Sequence, residues 1–296
     1  MDPAILKQLA IGALVPGFLS TLLFALAFLV RQPSDARTRS PLQRLALLAS
    51  LVLPPLALTI VYLVSHPIVF GLPQSLNGSF NRLPIAAALA APLGLLWLFS
   101  IPAAIRWPAT IAILIALPIS IGSSMGQWND PARLSLLTIA AFAILASISI
   151  ASSVRLATKT KGTTSALLLL IPAAGASQLL VLGFHSLSLA QVAGFAAATA
   201  GGALAISLIR PNLSLRTAAA PIAAFTIFAM LQGVLFTETP YAPLLAALIA
   251  LSPAAALPIT RQGLKFNLAR LALATLPIAI AMAMTLAQSA PKASDY

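Results

Sequence analysis

The run LAIGALVPGFLSTLLFALAFLV, Leu9 to Val30, is followed by RQPSDARTRSPLQR, Arg31 to Arg44, and then by LALLASLVLPPLALTIVYLV, Leu45 to Val64. Two uncharged apolar runs of membrane-spanning length flank a short segment carrying four arginines. A bilayer core of ~30 Å needs ~20 mostly apolar residues per helix at ~1.5 Å rise. The same alternation of apolar run and short polar connection continues to the end of the chain. Eight further runs cover Leu83 to Pro102, Trp107 to Met125, Leu134 to Ser152, Ser165 to Gly183, Ser188 to Ile209, Thr217 to Thr237, Tyr241 to Ile259 and Asn267 to Gln288. The expected fold is therefore an all-α, polytopic integral membrane helical bundle of about ten transmembrane helices, forming one transmembrane domain over 1–296 with no room for a soluble one.

Composition agrees. Hydrophobic residues make up 60% of the 296 positions and charged residues 7%, against roughly 25% charged in a soluble domain. So much apolar surface rules out a solvated disordered chain as well. The net charge of +12 would raise nucleic-acid binding in a soluble protein, because clustered Lys and Arg neutralise phosphates. Here the cations sit between apolar runs, and no nucleic-acid partner is expected. With no cysteine, a disulfide framework, a zinc ribbon and a thiol nucleophile are excluded.

The positions of Lys and Arg give the expected orientation, because positively charged loops stay in the cytoplasm. Odd-numbered connections hold Arg31, Arg37, Arg39 and Arg44; Arg106; Arg155, Lys159 and Lys161; Arg210 and Arg216; and Arg261, Lys265 and Arg270. Even-numbered connections and the termini hold only Lys7, Arg82, Arg133 and Lys292. Every second connection is basic, as ten crossings with both termini external require. The first run reads as an uncleaved helix rather than a signal peptide. Its positive charge follows the run, and Ala25 and Ala27 lead into Phe28, Leu29 and Val30 instead of a polar mature start. The Arg, Ala and Pro bias points to a bacterial cytoplasmic membrane.

Three short echoes raise an internal duplication. Pro84-Ile85-Ala86-Ala87 recurs as Pro221-Ile222-Ala223-Ala224, Ile115-Ala116-Leu117-Pro118 resembles Ile249-Ala250-Leu251-Ser252, and Arg133-Leu134-Ser135-Leu136-Leu137-Thr138 resembles Arg270-Leu271-Ala272-Leu273-Ala274-Thr275. The corresponding halves are 1–152 and 165–288, joined by a basic loop at 153–164. Two five-helix units in one chain must be inverted relative to each other, since an odd number of crossings flips the second copy.

Within the spans, Pro16, Pro54, Pro55, Pro92, Pro118, Pro172, Pro253 and Pro277 each remove a helix hydrogen bond, and broken helices around a midplane site are one expectation. Gly194, Ala198 and Gly202, four residues apart, form a small-residue stripe suited to close helix packing in lipid; the seventh span is expected inside the bundle. No Asp, Glu, Lys or Arg falls in the middle of a span. A buried-carboxylate proton relay is therefore not expected, nor is a metal site, a cofactor or a catalytic residue. His66 and His185 fall at external helix ends and read as wet interfacial side chains.

Uncharged polar residues gather at one depth, toward the external ends of the fourth, sixth, seventh and eighth spans: Ser120, Ser124 and Gln127, Ser177 and Gln178, Gln191, and Gln232. Amides at that depth seek hydrogen-bond partners. They read as a candidate substrate pathway open to the outside, against the alternative of plain helix-to-helix hydrogen bonds. The function expected on these grounds is a transporter or lipid-handling protein for a neutral or amphipathic substrate, with membrane lipids as partners and no enzymatic activity. A second reading is a non-catalytic subunit scaffolding a larger complex, with a protein partner docked on the basic loops. A remote third is an intramembrane serine hydrolase, since Gly122-Ser123-Ser124-Met125-Gly126 has the form G-x-S-x-G and His185 could serve Ser124 as base.

Overall fold

A computed structural model describes residues 3–28, 41–71, 79–122, 135–237, 239 and 241–289. Ten helices and no strand occur among them: α1 (Pro3–Phe28), α2 (Pro41–Phe70), α3 (Ser79–Leu98), α4 (Ala103–Gly122), α5 (Leu136–Lys159), α6 (Gly162–Leu182), α7 (Leu187–Ile209), α8 (Arg216–Phe236), α9 (Ala242–Ala255) and α10 (Leu264–Ser289). Each apolar run of the sequence falls on one helix. Ten helices are not ten helices of spanning length, however. Among the described residues, seven are long and apolar enough to cross a membrane, while Gly12–Phe28, Arg82–Leu98 and Ala242–Ala255 are shorter. The ninth run gives the shortest helix as a whole, 14 residues against 26 for α1 and 20 for α3. Its apolar stretch reaches Ile259, but α9 stops at Ala255 after 14 residues, because Pro258 disfavours helical backbone at Leu257 and has no N–H to continue the ladder.

The core is built around α8. Every residue from 218 to 233 is buried, since α8 packs against α2, α3, α5, α6, α7 and α9. A helix that is apolar all round fits such a position. The seventh span, expected inside the bundle, has no exposed residue from 189 to 207, and α7 borders a groove along its stripe. Aromatic rings fill the α2, α7 and α8 junction: Tyr62 lies 4.9 Å from Phe195 and 5.2 Å from Phe225, both edge to face.

Glycines set the closest helix approaches. A Cβ on Gly202 would overlap Ser20 of α1, and Ser20 Oγ donates to Thr199 O at 2.9 Å across the same contact. A Cβ on Gly94 would lie 2.5–2.8 Å from Pro55 Cβ, Cα and O, so α3 meets α2 at the double proline. The prolines do not break the helices. Pro16, Pro54, Pro55, Pro67, Pro92, Pro118, Pro172 and Pro277 all lie inside continuous helix, because the remaining backbone bonds have no better partner in apolar surroundings.

Two residues depart from their sequence reading. His66 was expected at a wet boundary, but α2 runs on through Pro67 to Phe70, and His66 is 2% exposed with its ring between Tyr62 at 5.4 Å and Phe70 at 5.0 Å. Arg270, read as a helix-end cation, is 1% exposed. Its Nη1 donates to Asn267 Oδ1 at 2.7 Å, its Nε and Nη2 to Ile259 O at 3.2 and 3.0 Å, and its Nη2 to Arg261 O at 2.8 Å. The guanidinium fork holds the α9–α10 connection onto α10, supplying donors to carbonyls that no helix satisfies.

From α5 to α9 the connections alternate between two ends. Gly162 N–H donates to Pro211 O at 2.8 Å and Thr163 Oγ1 to Ser207 O at 3.1 Å, joining the basic α5–α6 and α7–α8 connections at one end. Thr239 Oγ1 donates to Gly183 O at 2.9 Å, joining the weakly charged α6–α7 and α8–α9 connections at the other. These are called the basic end and the opposite end below.

Candidate functional site

The α6–α7 hairpin turns at the opposite end through Gly183, Phe184 and His185, the last with φ 51°. Ser186 then caps α7, its Oγ accepting from Leu189 N–H at 3.3 Å. This turn places Ser177 and Gln178, near the end of α6, beside Gln191, near the start of α7. Ser177 Oγ donates to Ala190 O at 2.8 Å and pins the hairpin. Below the turn both helices present small residues, and α1 packs against α7.

The three helices enclose an open groove of about 600 Å³. Ser177, Gln178 and Gln191 stand at its polar end; Gly194, Ala198 and Gly202 of α7 and Ala13 and Gly17 of α1 form its floor. It follows α7 from Leu187 to Gly202, 15 residues or ~22 Å at helical rise. Gln191 is laid over α1, with Nε2 3.4 Å from where a Cβ on Gly12 would be. Lacking a side chain at Gly12 and Gly17, α1 leaves the volume open; the same holds at Gly194 and Gly201 of α7, where an added Cβ would meet at most one atom, Ser177 Oγ at 3.9 Å. Among the described residues, no charged side chain lines the groove. Small apolar walls with a few amides and hydroxyls at one end describe a site for a molecule with one hydrogen-bonding end and an apolar body.

The sequence cluster is thus split. Ser177, Gln178 and Gln191 share the groove with the Gly194, Ala198 and Gly202 stripe. Gln232 lies elsewhere: it is 2% exposed on α8 and its Nε2 has no hydrogen-bond partner among the described residues. Ser120 is half-buried on α4 and donates to Leu117 O at 2.6 Å in its own helix; α4 packs chiefly on α3 and α5, away from α6 and α7. Ser124 and Gln127 lie outside the described residues, and with Ser124 the proposed serine and histidine pair; His185 itself is exposed. Helix α1 was missed as a wall of the groove. Its signal was present in Ala13, Gly17 and Thr21, small residues at the same four-residue spacing as the α7 stripe. Among the described residues no cluster of His, Asp and Glu could hold a metal ion.

No protein-family model, curated protein or solved structure matches the chain.

Proposed function

We propose that this chain is a multi-pass protein of a bacterial cytoplasmic membrane that crosses ten times, with its basic connections in the cytoplasm and both termini outside. Seven helices of spanning length support the membrane setting. The pairing of the basic α5–α6 and α7–α8 connections at one end, and of α6–α7 with α8–α9 at the other, supports the alternation. Helix α9, at ~21 Å for its 14 residues, completes its crossing with the turn and irregular residues after Ala255.

Its function is the binding and translocation of an uncharged amphipathic molecule, a lipid or lipid-like solute, along the α1, α6 and α7 groove. The observation that carries this is the groove itself: an amide-bearing mouth, a glycine and alanine floor and, among the described residues, no charged lining side chain. A hydroxyl or amide headgroup would exchange hydrogen bonds with Gln178 and Gln191 while its chain covers the floor. Purified protein in liposomes is expected to move labelled neutral amphiphiles faster than empty vesicles do. Ala198→Phe, which fills the groove, is expected to cut that rate at least about tenfold, equivalent to ~1.4 kcal/mol at the barrier, and Gln191→Leu to cut it less. Rates equal to empty vesicles across a panel of neutral solutes and lipids, or an unaffected Ala198→Phe variant, would sink the reading.

A further inference from the structure

Two helix N-termini open side by side at the basic end. Gly162, the first residue of α6, donates to Pro211 O at 2.8 Å, and a Cβ there would lie 2.9 Å from both Leu213 Cβ and Leu213 O, just before α8 begins. The first turn of a helix exposes N–H groups bearing partial positive charge, and Ser, Thr, Asp, Asn or an acidic side chain ordinarily answers them. Here neither N-cap residue, Lys161 for α6 or Leu215 for α8, makes a side-chain cap bond. Cations stand there instead: Lys161 at the cap of α6 and Arg216 as first residue of α8. None of the described residues is Asp or Glu, so no carboxylate among them offsets this charge.

Two buried donors point to the same place. Ser153 of α5 is 3% exposed and its Oγ has no hydrogen-bond partner among the described residues. It lies 11 residues after Phe142, on the same face of α5, and Phe142 meets Phe228 of α8 at 6.3 Å. Thr217 precedes Phe228 by the same 11 residues. Because α5 and α8 run antiparallel, Ser153 comes level with the first turn of α8. At that turn the Nε of Arg216 is also buried and without a partner among the described residues. Leaving two such donors unmet beside uncapped, like-charged helix ends is costly unless an anion answers them.

We infer that this junction of α5, α6 and α8 is a phosphate-binding site. The first-turn N–H groups of α8, the Ser153 hydroxyl and the Arg216 guanidinium donate to the phosphate oxygens, and Lys161 adds charge at the mouth. The phosphate belongs either to an anionic lipid headgroup or to a soluble phosphate; the site is independent of the groove.

The full chain in nanodiscs of phosphatidylcholine alone is the reference. Thermal unfolding is followed as phosphatidylglycerol is added to the discs and, separately, as inorganic phosphate replaces chloride at constant ionic strength. A rise with phosphatidylglycerol alone assigns the lipid, and a rise with inorganic phosphate in pure phosphatidylcholine assigns the soluble anion; either supports the site. Arg216→Gln is expected to raise the half-saturating concentration about tenfold and Ser153→Ala about threefold, in keeping with loss of one charge-assisted or one weaker hydrogen bond. Lys265→Gln, an exposed cation at the same end, should titrate like wild type. Ser153→Ala removes only one oxygen and is expected to unfold as wild type does in the reference discs, so it tests the site even if Arg216→Gln folds poorly. The inference is overturned by no response to either anion, by a Ser153→Ala variant that titrates like wild type, or by Lys265→Gln weakening binding as much as Arg216→Gln.

Discussion

Arg270 is the largest fully buried side chain, at 1% exposure, and among the described residues its charge faces carbonyls and an amide rather than a carboxylate. Such a site depends on geometry: three of its donors reach Ile259 O, Arg261 O and Asn267 Oδ1 in directions that a planar fork supplies and an ammonium does not. Arg270→Met keeps the apolar stem and leaves those acceptors unmet, at a cost of about 1–3 kcal/mol for each. Denaturant titration in detergent is expected to show the loss, with Arg270→Lys recovering only part of it. A Lys variant as stable as wild type would mean that charge alone, and not the fork, holds the α9–α10 connection. A cation at the end of the last run was legible in the sequence. Its burial was not, because nothing local reveals that the chain folds back over it.

Helix α7 has two kinds of contact along one stripe of small residues. Gly202 is pressed against Ser20 of α1 so closely that a Cβ would overlap it, whereas Gly194 and Ala198 border the groove. The stripe therefore has a tight end and an open end. Gly202→Val forces α1 away from α7 and is expected to destabilise the protein by about 1–3 kcal/mol, the usual range for overpacking, measured as a lower unfolding temperature in the same detergent. Gly201→Ala, one residue earlier, meets nothing within 4 Å and is expected to leave stability within about 0.5 kcal/mol. Equal losses at both positions would mean that the α1 contact does not set the cost. Spacing of small residues was visible in the chain, but which of them touch a neighbour depends on where α1 crosses.

At the scale of the molecule, charge orders the ends and packing orders the helices. Reporters fused after Arg39, Lys161, Arg210 and Lys265 are expected to read as cytoplasmic, and those after Asn77, Asp130, Glu238 and Lys292 as external, because the basic connections resist translocation. A block of consecutive fusions with reversed signals would remove a crossing from the count, and α9, the shortest helix, is where it would show. The halves contribute unequally to the interior. Helix α8 is surrounded, while its counterpart under the proposed duplication, α3, packs chiefly on α2, α4 and α8. The α3–α8 and α2–α7 contacts are the pairs that a two-fold relation between halves would map onto themselves.

The sequence by itself determined the class of structure, the approximate place of all ten helices and the alternation of basic and weakly charged connections. Those properties follow from local apolar length and from charge counted along the chain, with no knowledge of neighbours. It also picked out Ser177, Gln178 and Gln191, since polar residues in apolar runs stand out one at a time. Tertiary structure alone decided that α8 fills the centre, that Ser120 and Gln232 lie apart from the groove, that α1 forms its third wall, and that His66 and Arg270 are buried. In a chain whose helices are apolar on every side, periodicity does not mark which face meets protein, so neighbours are chosen by shape, through glycines and close backbone contact.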